Sequence, residues 1–178
     1  MEKELGIDIT SVSTTAEHEL GTIVRDPRGQ TAGSQTRKFN TNGIGLGTTS
    51  QTEYFDSGKE YIYVRADAAI AQYDACMMKL GETDDPFAVV KTAAATDRCW
   101  GICEWASVDA NDYFWMTVRG WVPIANVADA SAQGDLLTPS STAGRLDSTA
   151  IAAGDKVIRA VTDGNASNQA GVYLHGGA

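Results

Sequence analysis

One eight-residue phrase recurs at three places in this chain: Ala69-Ile70-Ala71-Gln72-Tyr73-Asp74-Ala75-Cys76, Ala130-Ser131-Ala132-Gln133-Gly134-Asp135-Leu136-Leu137 and Ala150-Ile151-Ala152-Ala153-Gly154-Asp155-Lys156-Val157. Each copy reads as a tight turn closed by Gly-Asp, with an apolar residue opening a strand behind it. Glycine reaches positive φ without steric cost, and the aspartate carboxylate accepts hydrogen bonds from nearby amides. Similar corners repeated along the chain imply a compact β structure. Tyr73 stands where the other copies have glycine, so the first corner is expected to be built differently.

Strand signals crowd residues 53–178. Glu60 to Arg65 and Tyr113 to Arg119 alternate cleanly, and shorter apolar segments follow at Ala75–Leu80, Phe87–Lys91, Cys99–Trp105, Trp121–Val127, Asp135–Thr138, Lys156–Thr162 and Gly171–His175. Polar punctuation such as Gly81 to Pro86, Asp109 to Asp112 and Asp163 to Asn165 separates them. Many short strands with such spacing predict an all-β barrel or sandwich. Helix is expected only briefly, around Ala66–Gln72 or Ala125–Ala132. Residues 1–52 differ. They contain one strand candidate, Gly21 to Arg25, and then a run of Gly, Ser, Thr, Gln and Asn from Gly29 to Thr52. We read 1–52 as an extended N-terminal arm that orders on a partner, with Phe39, Ile44 and Leu46 as its apolar pegs.

Alternation divides the two best strands into unlike faces. Phe114, Met116 and Val118 share one face of the later strand, while Tyr113, Trp115, Thr117, Arg119 and Trp121 share the other. Ile62 and Val64 oppose Tyr61, Tyr63 and Arg65 in the same way. A core takes the aliphatic faces. The second faces either form an outward stripe of Tyr, Trp and Arg, the residues enriched at protein–protein hot spots, or are covered by a loop or by the arm. An aromatic platform for sugar rings is a further reading of the same stripe.

The chain of 178 residues carries 23 acids against 14 bases, a net charge of −9, most of it after residue 50. Such a surface repels phosphate backbones, so nucleic acid is not an expected partner. No apolar run reaches the length of a membrane span, and the acidic start does not resemble a signal peptide, so synthesis and folding in a cytoplasm are expected. Catalytic material is thin. Cys99-x-x-x-Cys103 lacks the closer spacing and further ligands of a zinc site. His18 and His175, the two histidines, suit neither a Ser-His-Asp nor a Cys-His arrangement. The Asp84-Asp85 pair and Asp109 with Asp112 lie in turns, and Asn42 to Thr48 lacks the Lys-Ser/Thr of a phosphate loop. Neither an enzymatic site nor a cofactor is expected.

Three stretches together carry a family resemblance: Glu60 to Ala66 with Ala69 to Gln72; the aromatic-Trp-x-x-Val-x-Gly strand Tyr113 to Gly120; and Ala132 to Ser140 with Thr142 to Gly144. They resemble the small head decoration, or capsid cement, proteins of tailed bacteriophages, over about residues 54–178. The resemblance implies a structural virion protein on the capsid exterior, bound to the major capsid protein at subunit junctions, often as a homotrimer. In that setting Tyr61, Tyr63, Arg65, Tyr113, Trp115, Arg119 and Trp121 pack against a neighbouring copy or the capsid, and Phe39, Ile44 and Leu46 anchor the arm. A receptor- or glycan-binding surface protein using the same aromatic face is the alternative.

Overall fold

The computed structural model describes residues 7–26, 37–40, 48–51, 59–79, 85–128, 131–148 and 158–175. In chain order these form β1 (Val12–Ser13), β2 (Ile23–Asp26), β3 (Arg37–Asn40), β4 (Thr48–Gln51), β5 (Lys59–Ala66), β6 (Ala75–Met78), β7 (Ala88–Lys91), β8 (Gly101–Ile102), β9 (Tyr113–Asn126), β10 (Leu136–Pro139), β11 (Leu146–Asp147), β12 (Ile158–Ala160) and β13 (Gln169–His175). The fold is all-β. No helix occurs among the described residues, so neither helix expected at 66–72 nor the described part of 125–132 forms. Ile70 instead makes a bridge to Val108, and 125–126 continue β9.

The strand pairings close two small rings that share β9. In the first, β9 pairs antiparallel with β5, β5 runs parallel to β7, and β7, β6, β8 and β9 then pair antiparallel in turn. Ile62, Val64, Ala66, Cys76, Val89, Phe114 and Met116 fill this barrel. In the second, β9, β13, β12, β10 and β11 pair in succession, and Leu146 of β11 bridges Val127 just past the end of β9. Val122, Val127, Leu137, Leu146, Ile158, Val172 and Leu174 fill that one. Closure removes sheet edges and lets each short strand bury one face.

A 14-residue strand serves both rings because it is bent twice. One extra β9 residue is accommodated where Arg119 opposes Glu60 and Thr117 opposes Tyr61. A second slip falls at Pro123 and Ile124, between the pairs Val122–Val172 and Ala125–Ala170. Proline donates no amide to a ladder and suits such a bulge. Gly120, at φ 96, sits between the two bends.

Corners of one design feed the strands. In the first repeat Asp74 N–H donates to Ala71 O at 3.2 Å and its carboxylate accepts Ala71 N–H at 3.1 Å. In the second, Asp135 N–H donates to Ala132 O at 3.0 Å and its carboxylate accepts Ala132 N–H at 2.8 Å. The third copy lies outside the described residues. Contrary to the expectation for Tyr73, its corner matches the second: Tyr73 takes φ 73 where Gly134 takes φ 96. The same positive φ two residues before a strand recurs at Gly21, Asn111 and Gly144, ahead of β2, β9 and β11.

Residues 7–26 are not part of a free arm. β1 pairs with β9 at Val12–Phe114 and Ser13–Tyr113, and β2 pairs with β5 from Ile23–Ile62 to Asp26–Lys59. Beyond Asp26 the chain departs and returns at Lys59, its own register partner. Within that excursion β3 and β4 pair antiparallel, Phe39 opposite Thr49. Ile44 and Leu46 lie outside the described residues.

Candidate interaction surfaces

The Tyr/Trp/Arg face identified in the sequence is divided by the chain's own N-terminal segment. On the first barrel, Tyr61, Tyr63 and Trp115 are buried beneath a strap formed by residues 7–24, with Ile7, Ile9, Leu20 and Val24 packed on them. Glu17 N–H donates to the Tyr63 hydroxyl at 3.0 Å, and the His18 ring lies 5.1 Å from Tyr63 and 5.2 Å from Trp115. Burial pushes the Tyr63 phenol above its ordinary value of 10.0. Of the two readings of this face, cover by the chain itself is the one realised for these three residues, which corrects their assignment to a partner. Tyr113 stacks on Tyr63 at the margin and is half-buried.

Beside them the cover is polar. Lys59 and Glu104 are 0% and 3% exposed, with Lys59 Nζ donating to both carboxylate oxygens at 2.7 and 2.9 Å. The Thr117 hydroxyl donates to Glu104 Oε2 at 2.7 Å, and the Trp105 ring lies 5.7 Å from Nζ. These contacts hold the segment after β8 against β5 and β9. Arg65 is similarly occupied: it pairs with Asp85, donates to Asn111 Oδ1 at 2.9 Å, and approaches Asp67. The hydrogen bond to Asp85 raises the guanidinium above its ordinary value. Arg65 is therefore an internal tie between turns.

On the second barrel the outer face stays open. Trp121 of β9 stands opposite Tyr173 of β13, Tyr173 opposite Arg159 of β12, and Arg159 opposite Leu136 of β10. Arg119 stands opposite His175 in the adjoining row, with Nη1 3.5 Å from Glu60. Trp121, Tyr173, Arg159, His175, Gln133 and Gly134 border a groove of about 480 Å³ floored by Ala160 and Val161. Of the stripe residues, Arg119 is exposed, and Trp121 is half-buried on this outer face. Arg159, Tyr173 and Gln133 were not singled out from sequence, and His175 only as a histidine unsuited to catalysis, because they come from two strands and a turn that only pairing brings together.

No family model and no curated protein matches this chain. Among solved structures, it is similar to the head fiber gp8.5 N base in bacteriophage phi29, at 15% sequence identity and a TM-score of 0.51. The likeness covers 64% of this chain and 92% of that one. At that identity the shared property is the fold.

Several buried titratable groups lie away from this groove. Asp74 is 6% exposed, and burial raises its carboxyl above 3.8 despite the hydrogen bond donated by Asn126 Nδ2 at 2.9 Å. Burial pushes the Cys99 and Cys103 thiols up to about 12 and Cys76 upward as well. Such thiols are poor nucleophiles at neutral pH. Among the described residues no three His, Cys, Asp or Glu side chains are grouped to hold a metal ion.

Proposed function

We propose that this chain is a structural protein of a phage virion that binds the capsid exterior at junctions between major capsid subunits and cements the shell as a homotrimer. The observation that carries the reading is the backbone likeness to a base of a phage head fiber, spanning 92% of that chain. The resemblance of the turn and strand motifs to capsid cement proteins points the same way. No catalytic role or cofactor is assigned.

The contact with the shell is given to the excursion between Asp26 and Lys59. Its two ends meet at one point of the first barrel, where Asp26 and Lys59 are register partners. Residues 27–58 carry Arg28, Arg37 and Lys38 against Glu53 and Asp56, with all three bases before residue 39, in a protein whose net charge is −9. The basic first part of the excursion, on an acidic body, favours acidic surface on a neighbouring subunit. Phe39, Ile44 and Leu46 supply its apolar contacts. A tether of this kind adds effective concentration to modest individual contacts.

The test is co-sedimentation with purified undecorated shells, with light scattering of the free protein. Saturable binding, a trimer mass and raised thermal resistance of the shells are expected. A chain that stays in the supernatant at all shell concentrations overturns the proposal.

A further inference from the structure

The groove on the second barrel has no part in the attachment just described, and its chemistry is specific. Its walls are ring faces. Trp121 and Tyr173 are directly opposed across β9 and β13, and the Tyr173 and His175 rings meet at 4.8 Å and 60°. Its rim consists of hydrogen-bonding side chains: the Arg159 guanidinium, the Gln133 amide, the His175 imidazole and the Tyr173 hydroxyl. Arg159 is exposed and held in place by donating to Gly134 O at 3.0 Å, and the turn carrying Gln133 is fixed by its N–H to Asp163 Oδ1 at 2.7 Å.

Two features select the occupant. The first is charge. Acids outnumber bases 23 to 14 in the chain, yet among the described residues the groove is bordered by an arginine and a histidine and by no acid. A guanidinium presents a planar fork that matches carboxylate and phosphate groups. The second is the character of the apolar surface. A protein-docking patch centres on exposed aliphatic and aromatic bulk, whereas Ile23 is the large hydrophobic residue exposed among the described ones, and it lies on β2 beside the other barrel. The groove offers half-buried ring faces with donors around them, which suits a ligand with one apolar C–H face and a hydroxylated edge. Its volume of about 480 Å³ falls in the range of small-ligand sites, roughly 300–1,000 Å³.

We infer that this groove binds an anionic saccharide, one pyranose ring stacking on Trp121 and Tyr173 while Arg159 takes its carboxylate or phosphate group. Gln133 and His175 hydrogen-bond the ring hydroxyls. The neighbouring Arg119 is partly engaged by Glu60 and adds to the positive field without entering the groove.

The experiment is a tryptophan-fluorescence titration of the full chain, backed by saturation-transfer NMR, with glucuronate-containing hyaluronan tetrasaccharide and glucose 6-phosphate as anionic probes. Neutral chitotetraose is the comparison. Saturable binding of at least one anionic probe is expected, with chitotetraose weaker by about ten-fold, the loss expected for a missing charge-assisted hydrogen bond. Arg159→Gln removes that bond at an exposed position and should weaken the anionic probe by about ten-fold with an unchanged thermal midpoint. The same variant should sediment with shells like the parent. No saturable binding of either anionic probe overturns the inference, as do equal affinity for chitotetraose and indifference to Arg159→Gln. Loss of shell binding by Arg159→Gln would make the groove a protein interface instead, whereas failure of the parent chain to bind shells leaves the saccharide result standing.

Discussion

At the scale of single residues, the corners separate two costs that are usually mixed. Gly134 and Gly144 both hold positive φ, 96 and 75. A Cβ on Gly134 meets nothing within 4 Å, while one on Gly144 would stand 2.4 Å from Asp74 Cγ. Gly134→Ala therefore reports backbone strain alone, about 1–2 kcal/mol. Gly144→Ala adds a collision with a buried carboxylate that Ala71 and Asn126 already fix in place, and should cost roughly 1–3 kcal/mol more. Urea unfolding of the two variants checks the ordering, and equal losses would show that Asp74 can move aside. The repeat was legible because Gly-Asp is a local signal. The matching corner at Tyr73 was not, since a bulky residue at positive φ is held there by the surroundings: Tyr73 N–H donates to Cys103 O at 2.6 Å and Tyr73 O accepts Asn126 N–H at 3.0 Å. Those partners are distant in sequence.

At the scale of elements, alternation located β5, β9 and most other strands, because each buries one face and period two is strong in the sequence. It also separated the Tyr/Trp/Arg side from the aliphatic side. Cover by the arm was one of the readings of that side, but the residues that supply it were not readable. Ile7, Ile9, Leu20 and Val24 are scattered among polar residues and acquire meaning only when the strap crosses β5 and β9. Nor was the single span of β9 visible, since the bends at Val118 and Pro123 break the pattern that defines a strand. The charged pin beside the strap gives the element-scale prediction. Lys59 and Glu104 are both buried, and removing Glu104 takes from the buried ammonium the carboxylate that accepts two of its hydrogen bonds. Glu104→Ala should destabilise the protein by about 3–5 kcal/mol. The double change Lys59→Met with Glu104→Leu should cost less, because the buried pair is then replaced as a unit by apolar side chains rather than split. Denaturant melts of the single and double variants decide this. A double variant as unstable as Glu104→Ala would mean that packing of the 103–107 segment, rather than charge, sets the cost.

At the scale of the whole molecule, the register of β2 against β5 makes residues 27–58 separable from the body. Asp26 and Lys59 are direct partners at the end of an antiparallel pair, the geometry that a two-residue turn closes. Replacing 27–58 by Asn-Gly should leave both barrels, the strap and all three apolar clusters in place, since every described member of those clusters lies outside the excised stretch. Loop closure then becomes cheaper: about four halvings of length lower its entropy cost by roughly 2 kcal/mol. The excised protein should therefore melt at or above the parent's midpoint, with unchanged near-ultraviolet circular dichroism from Trp115 and its neighbours. Stability and shell attachment would be uncoupled, with the first residing in the barrels and the second in the excursion. A lower midpoint or loss of cooperative unfolding would show instead that Phe39, Ile44 or Leu46 contributes to the body's core, and attachment to a shell would then have to come from a surface of the barrels themselves.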